Sequence, residues 1–237
     1  MTPRLAYAVC MVLAAGVFIL ARRCFPGGSG WSQLRRDERW TLTLAAFVGG
    51  MIGAKLPFVL SAAESFFSMA WLADGKTVTT GLMGAYLSVE LVKYLLGIKV
   101  KTGDSFALPL ALALAVGRFG CFLNGCCHGV PMSLPWGYDF GDGVRRHPTQ
   151  LYEVLFHLLM AGTLIVIIRR GWLVNQRLKF YLICYGLYRF ATEFIRPEPV
   201  VAVGLTWYQW GCTVMVVGLL IQWWIDQKHE GQRTQRQ

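Results

Sequence analysis

Seven apolar runs dominate the chain, at roughly 5–21, 41–62, 78–97, 105–124, 149–168, 179–195 and 203–225, and each approaches the length a bilayer requires. A spanning helix takes about 20 mostly apolar residues, because its backbone must satisfy itself in a solvent that offers no hydrogen bonds. The pattern predicts an all-α, polytopic membrane protein with about seven transmembrane helices. Only 15% of the 237 residues are charged, against roughly 25% in soluble domains. The length suits a single transmembrane domain, 1–237, with an external loop at about 125–147 and a polar cytoplasmic tail at about 226–237. The first run stops at Arg22-Arg23 rather than at a small-residue cleavage site, so it reads as a retained span and not as a secretory leader.

The net charge is +10, but the basic residues sit in short clusters between the runs, which argues for topology signals and against nucleic-acid binding. One set of connections holds Arg22, Arg23, Arg35, Arg36 and Arg39, then Lys99 and Lys101, then Arg169, Arg170 and Arg177, then Lys228, Arg233 and Arg236. The alternate set holds Glu64, Asp74 and Lys76, the stretch Cys126 to His147, and Glu198. Basic residues collect on the cytoplasmic side, so the N-terminus is expected outside and the C-terminus in the cytoplasm. The fourth and sixth spans then run outward, with Arg118 and Arg189 beyond the midplane.

Those two arginines are the next constraint. An arginine within a span costs about 2.5–3.5 kcal/mol on insertion scales, so it is retained where a partner or an anionic ligand receives it. In the sixth span, Tyr185, Arg189, Glu193 and Arg196 follow at intervals of four, four and three and are expected to stack on one helical face. Glu193 can orient Arg189, whose planar fork suits a phosphate, or the two form a structural pair. Arg118 has no acidic neighbour on its own helix and needs a carboxylate or a phosphate from elsewhere.

The fifth span opens Arg145-Arg146-His147-Pro148-Thr149-Gln150-Leu151-Tyr152-Glu153. Proline suits a first helical position, so His147 is expected at the cap, with the positive end of the helix facing outward. Gln150 and Glu153 share a face, as substrate contacts or as helix–helix hydrogen-bond partners. His157 reads as a satisfied interior histidine. Of seven cysteines, Cys10, Cys24, Cys184 and Cys212 read as small apolar fillers. Cys121, Cys126 and Cys127, with His128, admit three readings: packing or a disulfide, a soft-metal site, or a reactive thiol. No metal ligand set and no cofactor is assigned.

Three blocks together carry a family resemblance. They are Gly117-Arg118-Phe119-Gly120-Cys121-Phe122-Leu123-Asn124-Gly125 with Gly129, then His147-Pro148-Thr149-Gln150-Leu151-Tyr152-Glu153, then Tyr185, Arg189, Glu193 and Arg196-Pro197. In order and spacing, from about residue 75 to 200, the chain resembles the prolipoprotein diacylglyceryl transferases. The resemblance implies transfer of a diacylglyceryl group from phosphatidylglycerol to the cysteine thiol of a lipoprotein precursor, in a bacterial inner membrane crossed many times. It also implies that Arg118 and Arg189 hold the phosphate and stabilise the leaving group, with Tyr185 and Glu193 supporting that site; His147 is expected as a further catalytic group. Asn124, Gly129, Gln150, Glu153, Arg196 and Gly81 are the implied substrate-binding set. The family's His-Gly-Gly element would fall at Val78–Leu82, which contains no histidine, and Cys121 and Cys126 stand where the family often has Asn and Glu. His147 or His128 is left to act as base. Those departures admit a different thiol or hydroxyl acceptor on the same fold, and the thiol cluster admits a membrane redox or metal-handling protein.

Overall fold

The computed structural model describes residues 2–25, 28, 30–61 and 77–234. Eight helices appear among them: α1 (Pro3–Cys24), α2 (Gly30–Gln33), α3 (Arg36–Ser61), α4 (Val78–Leu95), α5 (Asp104–Leu123), α6 (Thr149–Arg169), α7 (Arg177–Thr192) and α8 (Trp207–Thr234). Two small antiparallel ladders complete the set, β1 (Tyr138–Asp139) with β2 (Arg145–Arg146), and β3 (Val200–Ala202) with β4 (Leu205–Thr206). Each apolar run predicted from the sequence coincides with a long helix. Of these, α1, α5 and α6 are long and apolar enough to cross a membrane, among the described residues. Glu64, Asp74, Lys76 and Arg236 lie outside the described residues.

The chain divides into two compact units. The first comprises 1–29, 101–181 and 194–198. Here α1 packs along α5 and α5 along α6. The α1 side of that contact is small, with Ala6, Cys10, Ala14 and Ala21 buried. Gly120 of α5 meets it so closely that a Cβ there would lie 2.7 Å from the Cys10 Cβ. In lipid, where no hydrophobic effect drives helices together, such close backbone approach supplies the packing energy. Asp104 opens α5 and accepts from the backbone amides of Asn175 (2.7 Å) and Arg177 (3.0 Å), which fixes the turn into α7.

The second unit comprises 30–100, 182–193 and 199–237. Its centre is the α3–α4 pair, again joined by small residues: Gly49 and Gly53 on α3 face Gly84 and Ser88 on α4. Ser88 Oγ donates to the Ala45 carbonyl at 2.7 Å, replacing a contact with lipid by one with backbone. A cavity of about 200 Å³ opens among α4, α7 and α8, lined by apolar groups such as Met83, Leu182 and Leu219, with Tyr86 and Gln222 as its polar members. Tyr86 donates to Gln222 at 2.6 Å, and Gln222 donates to Glu90 at 3.2 Å.

Two local expectations are corrected. Helix α7 ends at Thr192, Glu193–Ile195 form a 3-10 turn, and Arg196 lies in a bend. Pro197 follows, and a residue before proline is turned away from helical geometry, so Arg196 leaves the face that carries Tyr185 and Arg189. Helix α6 begins at Thr149 with Pro148 at its cap. His147 is still in extended pairing there, its amide donating to the Val130 carbonyl and its carbonyl accepting from Gly129. The polar segment after Asp226 is itself helical as far as Thr234, which leaves its expected polar character untouched.

Candidate active site

In the first unit the centre of charge is Glu153, one turn into α6 and 1% exposed. Its Oε1 lies 2.9 Å from Arg118 Nε and 3.7 Å from His157 Nε2, and its Oε2 lies 3.8 Å from Arg196 Nη2. The partner that Arg118 required from elsewhere is therefore a carboxylate on the neighbouring helix. Arg196, released from α7 by Pro197, reaches the same group. His157 is fully buried and its Nδ1 lies 2.9 Å from the Tyr181 hydroxyl, which bears out its reading as an interior histidine. Tyr181 was not singled out by its sequence, although it stands four residues before Tyr185 on the same helix.

The second unit contains the other arginine. Arg189 Nη2 lies 2.8 Å from Glu193 Oε2, with both side chains buried, and Arg189 Nε donates to Thr79 Oγ1 at 3.3 Å. Thr206 donates to Glu193 Oε1 at 3.3 Å, and its own amide is accepted by Gln209. Thr79 falls in the stretch that aligns with the family's histidine element, so a hydroxyl acceptor meets the guanidinium from that part of α4. Tyr185 is fully buried on α7. Threonine and glutamine carry no distinctive sequence signal, and only the fold brings Thr79, Thr206 and Gln209 around one pair.

The loop after α5 is fastened to α6. Gln150 Nε2 donates to the Cys126 carbonyl at 2.6 Å, and Thr149 Oγ1 donates to the Cys127 carbonyl at 2.7 Å. Gly129 is buried where a Cβ would lie 2.5 Å from the Ile195 carbonyl and 2.8 Å from the His147 Cβ, so its role begins with close packing. Gly81 of α4 meets Ala54 of α3 more loosely, at 3.3 Å from the position of an added Cβ. His147 Nδ1 stands 3.3 Å from the Tyr152 hydroxyl, which in turn accepts from Trp136 Nε1 at 3.0 Å. His128 stacks against Phe140, with its Nδ1 3.4 Å from the Gly129 carbonyl. Asn124 caps α5 and bonds the Cys126 thiol.

All seven cysteines are free thiols. Cys10 and Cys212 are buried as expected of fillers, whereas Cys24 is exposed at the end of α1, where the packed groove has finished. The Sγ atoms of Cys121, Cys126 and Cys127 all lie within 4.8 Å of one another. Cys127 is held below the ordinary thiol range by hydrogen bonds from the Cys121 and Cys126 thiols, with the guanidinium groups of Arg118 and Arg196 acting in the same direction. Where thiols cluster, one of them ionises at the expense of the others.

Together these features define a helical membrane protein with two buried arginine–carboxylate centres, one in each unit. The chain belongs to the prolipoprotein diacylglyceryl transferase family, whose model matches residues 4–225. It is 35% identical over 205 residues to the phosphatidylglycerol–prolipoprotein diacylglyceryl transferase of Solidesulfovibrio magneticus, covering 78% of this chain and 74% of that one. Proteins of the same name from Aromatoleum aromaticum and Clostridium tetani are 33% and 28% identical, covering 84% and 81% of this chain and 82% and 79% of theirs.

Proposed function

We propose that this protein transfers a diacylglyceryl group from phosphatidylglycerol to the cysteine thiol of a prolipoprotein and releases glycerol phosphate, at a bacterial cytoplasmic membrane. The observation that carries the reading is the family match across nearly the whole chain, with relatives of that name over about four fifths of its length. A carbon–sulfur bond forms as the bond between the glyceryl carbon and the phosphate oxygen breaks, and the phosphate leaves with the bonding pair. In the first unit Arg118, aimed by Glu153, is a group that can receive this developing negative charge; in the second, Arg189 is aimed in the same way by Glu193. Such prearranged charge in a dry setting is often the largest contribution to catalysis.

The thiol proton must pass to a base before sulfur attacks. His147 serves as that base, with Tyr152 directing its imidazole. Tyr185, Asn124, Gln150, Arg196 and Gly81 shape the substrate's surroundings, and Gly129 allows the close backbone approach on which the loop after α5 depends. The chain is a single membrane domain of seven spans, with its N-terminus outside, the 125–147 loop on the outer face and its C-terminus in the cytoplasm. The alternation of basic and non-basic connections supports that orientation.

Expression in a strain depleted of its own transferase tests the reading. Restored growth, with lipid-modified lipoprotein in the membrane, is the expected outcome. Failure at a normal membrane level of the protein would remove the prolipoprotein as acceptor, and purified protein that released no glycerol phosphate from phosphatidylglycerol would remove the donor as well.

A further inference from the structure

None of the proposed chemistry uses the thiols of Cys121, Cys126 and Cys127, yet the fold gathers all three sulfurs within 4.8 Å of one another. Cys121 comes from the last turn of α5. The chain then leaves the helix through Asn124, and Gly125 (φ 70°) and Cys127 (φ 66°) both take left-handed geometry. That geometry is uncommon for a residue with a Cβ, and it persists where the surroundings dictate it. Here they do. The Cys126 amide returns to the Cys121 carbonyl at 3.2 Å, while buried Gln150 and Thr149 grip the carbonyls of Cys126 and Cys127. The turn is braced from the first residues of α6.

Three is an awkward number for disulfides. The Cα atoms of Cys126 and Cys127 are neighbours about 3.8 Å apart, closer than the roughly 4.4 Å at which bridged pairs begin. A bridge from Cys121 to either one leaves the remaining thiol over. A three-coordinate metal ion uses all of them. With metal–sulfur bonds of about 2.3 Å, a trigonal site places its sulfurs about 4 Å apart, which needs only a small contraction of the present cluster. Among the described residues no histidine or carboxylate joins the group, and His128 is engaged with Phe140 and Gly129. That composition disfavours the four-coordinate sites typical of structural zinc and favours copper(I), which takes soft thiolates in low coordination.

We propose that Cys121, Cys126 and Cys127 form a three-thiolate site for a soft, low-coordinate metal ion of the copper(I) class. The three thiol protons pass to solvent as three sulfur–metal bonds form, and no electron is transferred. The site stands apart from the transferase reading and survives its failure.

The full-length protein, reduced and kept anaerobic in detergent, is titrated with copper(I) against a chromophoric copper(I) chelator. One ion per chain is expected, with a sulfur-to-copper charge-transfer band. Cys121→Ser, Cys126→Ser and Cys127→Ser should each lose roughly 100-fold or more in affinity, since even supporting residues around a metal contribute about 10–100-fold. Thr149→Val, which removes only the brace on the Cys127 carbonyl, should lose about tenfold, and Cys184→Ser should change nothing. Copper-edge X-ray absorption on the unsubstituted protein gives a second reading that depends on no variant folding, with three sulfur neighbours expected. Copper left entirely with the chelator, two sulfur neighbours, nitrogen or oxygen neighbours, or zinc(II) displacing the copper would each overturn the proposal.

Discussion

The buried pairs can be tested as pairs. Arg189→Leu strands Glu193 among Thr206 and apolar neighbours, and breaking a buried pair by removing one partner costs about 3–5 kcal/mol. The double variant Arg189→Leu/Glu193→Leu should recover most of that loss in thermal unfolding, because no uncompensated charge remains. The transferase rate should fall about 100-fold or more in both variants, as it does where one charge-stabilising donor is removed. An active double variant would reduce the pair to a structural lock. Outside the helices, Asp142 is bound at both carboxylate oxygens by Arg146, at 2.6 Å each. The Arg146 hydrogen bond holds its carboxyl down to about 2, with the Val144 amide contributing. A depressed carboxylate keeps its partner at every pH above the ordinary range near ~3.9 and loses it as the pH falls towards the folded value. Trp136 fluorescence should therefore stay flat at neutral pH and change only in acid. Asp142→Asn should lack that acid step, and a step near neutrality would assign control of the loop to another group.

At the scale of elements, glycines separate packing from binding. A Cβ at Gly84 would collide with the Gly49 carbonyl, whereas one at Gly81 would sit 3.3 Å from the Ala54 Cβ. Gly84→Ala should therefore force α3 and α4 apart and cost about 1–3 kcal/mol, as overpacking does. Gly81→Ala should be tolerated in thermal unfolding, and a selective rise in KM for the lipid would then mark Gly81 as a substrate contact. The helices themselves were legible because lipid forces one solution on a long apolar run, and each of the seven runs matched a long helix, the last extending nine residues beyond its run. Arg189 and Glu193 were legible as a pair because one helical turn separates them. Arg118 and Glu153 were not, since their pairing depends on how α5 and α6 face each other. The exit of Arg196 from α7 is written in Pro197, whereas the four-and-three spacing alone points to a continuous helical face. Thr79, Tyr181, Thr206 and Gln209 gave no warning, being ordinary residues until tertiary structure sets them beside a charge.

At the scale of the molecule, reporter fusions after α1, α3, α4, α5, α6, α7 and α8 should alternate in location, ending in the cytoplasm. Two successive fusions on the same side would remove a span from the proposed seven. Both units are stitched from separated stretches, the first closing only at residue 198 and the second only in the last helix. No single cut yields two self-sufficient halves. During synthesis α1 enters the bilayer long before α5 exists, and most of the second unit's helices are made in between. It can afford the wait: its outward surface is oily, and the shallow groove of Ala6, Cys10, Ala14 and Ala21 offers lipid tails nothing polar to avoid. An early helix that tolerates solitude allows its docking partner to arrive some eighty residues later.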